Sequence, residues 1–460
     1  MRSPVSTRED DHAVARGQAA AGVIAAVPSG VANNLFALYG LYCSSYLLAL
    51  VTVPYLSRVL GPATWGMVAA VQSFSLCLLM CVEFGFSLSG TREAARARDD
   101  REALRDVLSA VQGAKLLLAL LSCGVAPIVG QLLPLFRDHA AAFWWGVIWA
   151  VLQGSNLMWF FQGIERMRLV AGLDLAIRVV AVAATFVMVR EPADAWRALA
   201  LQAAASLVSL LVSLGLAWKI TGFGFPRPTA VMQALRGGVN TFVPRNASFL
   251  YTIGNTFLLG FFARPEVVGF YAGADRICRA ITGLLAPASE AVYPRISQIA
   301  LCSQSRALRL ARLSAIVMVS AGVVMGGMLF LFAPWLVRVM LGNGYSAAVE
   351  PLRILSILPP LVALRNVLGI HCMLPLDLER QLNAVVVTCG VFNIFLAILL
   401  APRYGGIGMA WVAVTSHLMA CVGAWLVLRW MRLDPFASYP ATEPVIAAGA
   451  TPCSAALTSK

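Results

Sequence analysis

Long apolar runs fill this chain, and short segments rich in glycine, proline and arginine separate them. A helix that crosses a bilayer needs roughly twenty apolar residues, at about 1.5 Å of rise each. On that basis the runs predict twelve membrane helices, at 34–58, 65–91, 108–136, 141–163, 170–190, 197–219, 239–263, 267–294, 311–337, 350–373, 381–400 and 406–429. The expected fold class is an all-α polytopic membrane protein.

The breaks between runs are sharp. PYLSRVLGPATWG, residues 54–66, carries one charge, Arg58, and stands between the first two runs. Gly61, Pro62 and Gly66 are the residue types that stop one helix and start the next, so a tight hairpin is expected here. A related stretch, FFARPEVVGFYAG, returns at 261–273. A shift of 203 residues places Pro62 on Pro265, Gly66 on Gly269, Ala69 on Ala272 and Arg92 on Arg295. Ala126-Pro127 matches Ala333-Pro334 at a shift of 207, as a small loop insertion would produce. Each matched pair occupies the same hairpin or the same helix end. The pattern predicts two halves of six helices, related by an axis along the membrane normal, which can rock about a central cleft. The expected organisation is a cytoplasmic segment (1–33), a first bundle (34–219), a cytoplasmic linker (220–238), a second bundle (239–430) and a disordered cytoplasmic tail (431–460).

Composition agrees with a membrane setting. Of the 460 residues 59% are hydrophobic and 12% charged, with mean hydropathy +0.78. A soluble domain carries about a quarter charged residues. The net charge of +13 comes almost entirely from arginine, and the only lysines are Lys115, Lys219 and Lys460. With the N-terminus inside, the cytoplasmic segments hold 21 of the Arg and Lys residues and the outer segments 8. That bias predicts both termini in the cytoplasm, and no external segment is large enough for a domain of its own. The ten cysteines are scattered, without a CxxC pair or a Cys/His cluster, and read as packing residues. No metal and no cofactor is expected, and no nucleic-acid partner.

Ionisable side chains inside the runs are informative, because each costs several kcal/mol near the bilayer centre, with about 2.5–3.5 the lower figure. They are Glu83, Lys115, Asp174, Arg178, Arg245, Asp275, Arg276, Arg279, Glu290 and Arg365, with His371 and His417. The helices that carry them are expected to face a wet cavity, and the uncharged runs 197–219, 311–337 and 381–400 to face lipid. Asp174 with Arg178, and Asp275 with Arg279, stand four residues apart and can pair on one helix face. Arg245, Arg276 and Arg365 have no such local partner. Spare guanidinium groups in a cavity favour an anion, and the fork of an arginine fits phosphate oxygens in pairs. The two histidines read as links between helices rather than as proton relays.

In order along the membrane region, PYLSRVLGPATWG (54–66), EFGFSLSGTREAA (83–95), WFFQGIERM (159–167), FYAGADRICRA (270–280), YPRIS (293–297) and LGNGYSAAVEPLRIL (341–355) resemble the Wzx-type flippases for polysaccharide repeat units. These form the polysaccharide-transport branch of the MOP superfamily, which also contains multidrug exporters and the lipid II flippase. The resemblance implies two six-helix bundles around a cavity lined mainly by spans 1, 2, 7 and 8. It implies an oligosaccharide linked to undecaprenyl pyrophosphate as substrate, turned over across the bacterial inner membrane and passed to the polymerase and export proteins of the same pathway. On that reading Arg245, Arg276, Arg365 and Arg178 are the expected contacts of the pyrophosphate. Family members are thought to use a proton or sodium gradient, for which Glu83, Glu290 and Asp275 are the candidates. A multidrug exporter of the same fold would present a more acidic or apolar cavity to an organic cation. A polymerase or acyltransferase would need a sizeable catalytic loop, and none is present. An enzyme is therefore not expected, and with no P-loop the chain is not expected to burn ATP.

Overall fold

A computed structural model describes residues 29–436, apart from the side chains of 29–47, 49, 240, 241, 243–246 and 250. The expected N-terminal segment up to 28 and the tail from 437 lie outside the described residues. The described chain is helical, without a β-strand. The helices of eight residues or more are α1 (Ser29–Glu83), α2 (Phe86–Arg96), α3 (Arg101–Leu132), α4 (Ala140–Gly154), α5 (Met167–Met188), α6 (Ala195–Thr221), α7 (Pro228–Thr252), α8 (Pro265–Thr282), α9 (Leu285–Cys302), α10 (Gln304–Leu331), α11 (Ala333–Met340), α12 (Leu358–Asn366) and α13 (Glu379–Trp430).

Seven helical stretches among the described residues are long and apolar enough to cross a membrane. Most of the expected runs fall wholly or largely within them, that at 34–58 only from Leu50 on, whereas 141–163, 239–263 and 267–294 are broken into shorter pieces. The run at 141–163 turns at Ser155–Leu157, that at 239–263 between Thr252 and Asn255, and that at 267–294 at Gly283–Leu284. The run at 350–373 ends in a π-helical turn, Val367–Met373. Non-helical backbone at membrane depth is tolerated where protein or a water-filled cavity surrounds it.

Two expected loops shrink to single residues. α1 bends only at Gly61 (φ 72°, ψ 170°), with Pro62 opening the next segment. α13 bends only at Gly405 (φ 55°, ψ −130°). Positive φ is close to free for glycine and strained for other residues, so one glycine can reverse the chain.

The hairpin at Gly61 touches its counterpart in the second half. A Cβ on Gly66 would overlap the carbonyl oxygen of Pro265, and one on Gly269 would overlap the carbonyl oxygen of Pro62. The residues aligned by the 203-residue shift therefore meet reciprocally in space. Ala69 and Ala272, three residues further on, are also buried. Small residues at this spacing let two membrane helices approach backbone to backbone. The contact is reinforced nearby. Tyr345 Oη donates to the Ser57 carbonyl at 2.9 Å, and Arg58 donates to the carbonyl of Val339.

One hydrophobic core spans this junction, holding Leu56, Trp65 and Phe74 with Tyr271, Leu341 and Tyr345. Toward the opposite end each half keeps its own core, around Leu104, Phe160 and Met167 in the first and around Ile296, Met318 and Met373 in the second. There α7 crosses to the first half, where Phe242 stacks on Phe84 at 4.3 Å. Outward faces of α3 (Leu116, Leu120, Ile128) and α10 (Leu313, Val317, Val324) are exposed and apolar, as a lipid-facing surface requires.

Gly66→Ala and Gly269→Ala are each expected to lower the melting temperature in detergent, since overpacking a tight contact costs about 1–3 kcal/mol. Gly172→Ala, where a Cβ meets nothing within 4 Å, is the control. Equal melting of all three variants would contradict the backbone contact.

Candidate functional site

Two chambers lie between and beside the halves, and both reach Arg276. One, about 420 Å³, is set among α1, α4, α5 and α6 of the first half. The other, about 880 Å³, is set among α8, α12 and α13 of the second half and the part of α1 around Leu50–Pro54. Ligand pockets commonly fall between roughly 300 and 1,000 Å³.

Arg276 follows Gly269 by two helical turns on α8, so the close helix approach carries it to the partner half. Its guanidinium donates to Gln72 Oε1 and lies 4.4 Å from the ring centroid of Trp65. Both neighbours are uncharged. A neutral amide and an aromatic face hold the guanidinium in place without cancelling its charge.

The two expected local pairs form. Asp275 meets Arg279 at 2.5 Å, and Asp174 meets Arg178 at 2.8 Å. Asp174 also accepts from Ser209 Oγ at 2.7 Å, so its two oxygens are separately held. Arg178 lines the smaller chamber, and Asp275, Arg279 and Arg365 line the larger. Arg365 donates to Tyr251 Oη at 3.4 Å and to Asn366 Oδ1 at 3.3 Å, again neutral oxygens. Arg245 lies on α7, and its side chain is outside the described residues.

The two glutamates occupy other places. Glu83 ends α1 and accepts the backbone N–H of Ser87 at 2.8 Å, across the left-handed Phe84–Gly85 turn into α2. Glu290 sits on an exposed face of α9. Neither lines the two chambers. His371 is buried within 3.0 Å of Ser289 Oγ and Ser314 Oγ, tying α9 to α10. His417 lines the larger chamber, edge-on to Tyr251 with centroids 5.4 Å apart. Lys115, buried, donates to the Asn156 carbonyl at 2.9 Å where α4 ends.

A search for charges misses the neutral groups that complete the site. These are Gln72, Gln153 and Gln202, with Trp65 and Trp149. The available signal is an amide inside an apolar run, since an unpaired buried amide is itself costly. Nothing in the sequence indicates which glutamine faces which arginine.

Asp275→Ala leaves Arg279, a third exposed, beside an empty position. A loss of about 2–3 kcal/mol is expected, below the figure for a fully buried pair. Asp275→Ala with Arg279→Met is expected to recover most of it. Thermal unfolding of the three proteins checks this, and an undiminished single variant would deny the pair a structural role.

Residues 31–300 match the sequence profile of the family described as "Polysaccharide biosynthesis protein". A protein of Escherichia coli (strain K12), described as "Putative O-antigen transporter", is 30% identical over 404 residues, covering 87% of this chain and 96% of its own length. One from Shigella dysenteriae with the same description is 28% identical over 382 residues, covering 82% and 94%. Among solved structures, the lipid II flippase MurJ in an inward closed conformation superposes with a TM-score of 0.67 at 13% identity, covering 87% of this chain and 89% of that one. An inward-facing multidrug resistance MATE family transporter of the MOP superfamily gives 0.59 at 14%, covering 84% and 98%. At such identities the structural likeness shows the fold alone. The family match extends over more than half of the sequence and the curated relatives align over nearly their whole length: the chain belongs to the polysaccharide biosynthesis protein family.

Proposed function

We propose that this protein is a flippase that turns undecaprenyl-pyrophosphate-linked oligosaccharide repeat units over across the bacterial inner membrane, supplying polysaccharide assembly outside. The observation that carries the reading is Arg276. It is a guanidinium at the meeting point of the two halves, facing both chambers and held by neutral groups that leave its charge available. Arg365 adds a second charge in the larger chamber and Arg178 a partly neutralised one in the smaller. The fixed anion of the substrate is its diphosphate, and guanidinium forks match its oxygens. Arg245 is the fourth candidate by its position on α7. The family and the curated relatives support a polysaccharide cargo, and a cationic chamber disfavours organic cations.

In this reading the halves are six-helix bundles, 34–219 and 239–430, that rock about the glycine–proline junction. Both termini are cytoplasmic, the junction is the outer seal, and the chambers load from the cytoplasmic leaflet. The chain works as a transporter, without catalysis of its own. Turnover draws on a proton or sodium gradient, with Asp275, Glu83 and Glu290 as coupling candidates. Asp275 is favoured by its place on the chamber wall. Proteoliposomes carrying Asp275→Asn, Glu83→Gln or Glu290→Gln are expected to lose gradient-driven turnover in at least one case. Full retention in all three removes these residues from coupling.

Deleting the gene is expected to leave lipid-linked units unturned on the cytoplasmic leaflet. Arg276→Gln and Arg365→Gln are each expected to cut complementation by about 10–100-fold, because a hydrogen bond to a charged group contributes roughly 1.5–3 kcal/mol. The exposed Arg96→Gln is the control. Normal polymer export with both arginines neutralised would overturn the proposal.

A further inference from the structure

The two chambers that share Arg276 differ in chemistry. Guanidinium groups and an apolar wall define the larger one. The smaller holds three amides, Gln72, Gln153 and Gln202, the hydroxyl of Ser206 and the indole of Trp149. Its one carboxylate, Asp174, is held by Arg178 and Ser209, so the smaller chamber carries little net charge of its own.

Arg276 fixes how two of these amides, Gln72 and Gln202, point. A guanidinium only donates, so Gln72 must turn its carbonyl oxygen toward Arg276. The Gln72 amino group is thereby aimed at Gln202, whose Oε1 accepts at 3.2 Å. That leaves the Gln202 amino group without a protein acceptor among the described residues. Gln153 accepts from Ser206 Oγ at 2.9 Å through its Oε1, and its amino group likewise has no protein acceptor among the described residues. The chamber thus presents two uncharged donors, that of Gln202 oriented from the inter-half arginine through Gln72 and that of Gln153 oriented by Ser206, next to the indole of Trp149. A ligand that suits them is neutral and rich in hydroxyl oxygens, with an apolar face for the indole.

We infer that the chamber bounded by Gln72, Gln153, Gln202 and Trp149 is a saccharide subsite, which receives the first sugars of the repeat unit while Arg276 holds the diphosphate beside it. This deepens the flippase reading and rests on it. The relay from Arg276 through Gln72 to Gln202 links the two parts of one ligand. Binding the diphosphate and orienting the Gln202 donor depend on the same guanidinium.

The test uses the full chain in lipid nanodiscs and two probes, undecaprenyl diphosphate and undecaprenyl diphosphate bearing a single N-acetylhexosamine. The unaltered protein is expected to bind the sugar-bearing probe about tenfold more tightly, as two net hydrogen bonds would provide. Gln153→Leu with Gln202→Leu, nearly conserving volume, is expected to bring the ratio of the two Kd values close to one. Gln153→Asn with Gln202→Asn, which keeps shortened amides, is expected to retain part of it. If the double leucine variant does not fold, the ratio is read from Gln153→Ala alone. A ratio unchanged in the leucine or alanine variant overturns the subsite while leaving the flippase reading intact. An unaltered protein that binds both probes equally also overturns it. If the unaltered protein binds neither probe, the flippase reading itself fails and the subsite with it.

Discussion

The structure depends on the approach of two backbones. α1 beyond Gly61 and α8 cross with no side chain between Gly66 and Pro265, or between Gly269 and Pro62. In a bilayer, helices gain nothing from hiding apolar surface from water, so contact must come from close packing, and small residues allow it. The hairpins bring prolines and glycines to the crossing in both halves, and the same four positions serve each other. The shared core around Trp65, Tyr271 and Tyr345 then forms on the flank of that crossing. The shared core and the place of Arg276 beside the first half both follow from it.

The site is a consequence of that geometry. Two turns past Gly269, the helix that is closest to the first half presents Arg276 to Gln72 and Trp65. A buried guanidinium is tolerated only when its hydrogen-bonding needs are met. Meeting them with a carboxylate, as at Asp275–Arg279 and Asp174–Arg178, yields a nearly neutral pair. Meeting them with an amide and an aromatic ring leaves a positive charge facing open space. The chain does both on neighbouring turns of α8, so one arginine pairs on its own helix and the other faces the chambers.

The helix breaks also belong to this scheme. α7, α8 and the bent stretch around α12 are interrupted where they bound the larger chamber, whereas α3, α5, α6 and α10 run unbroken with apolar outward faces. Irregular backbone is costly against lipid and acceptable against a polar cavity. Glu83 shows a related economy. A carboxylate at membrane depth draws attention as a transport group, yet here it accepts backbone donors at a left-handed turn.

By itself the sequence determined the all-helical membrane fold, the positions of its apolar runs, the two self-pairing i,i+4 couples and the arginines set apart from them. These are local properties: length, period, spacing and the cost of charge in hydrocarbon act within one helix. The 203-residue shift pointed to the residues of the junction but not to their meeting. Only the tertiary structure decided that Gly66 and Gly269 pack on each other's prolines, that Gln72 faces Arg276, and that Glu83 and Glu290 lie away from the chambers. It also reduced two expected loops to single glycines and broke several expected helices, among them 141–163, 239–263 and 267–294. The reason is physical. Which face of a membrane helix turns inward, and what stands opposite, is set by packing against helices far away in the chain, and an apolar run of near-uniform composition carries little trace of that choice.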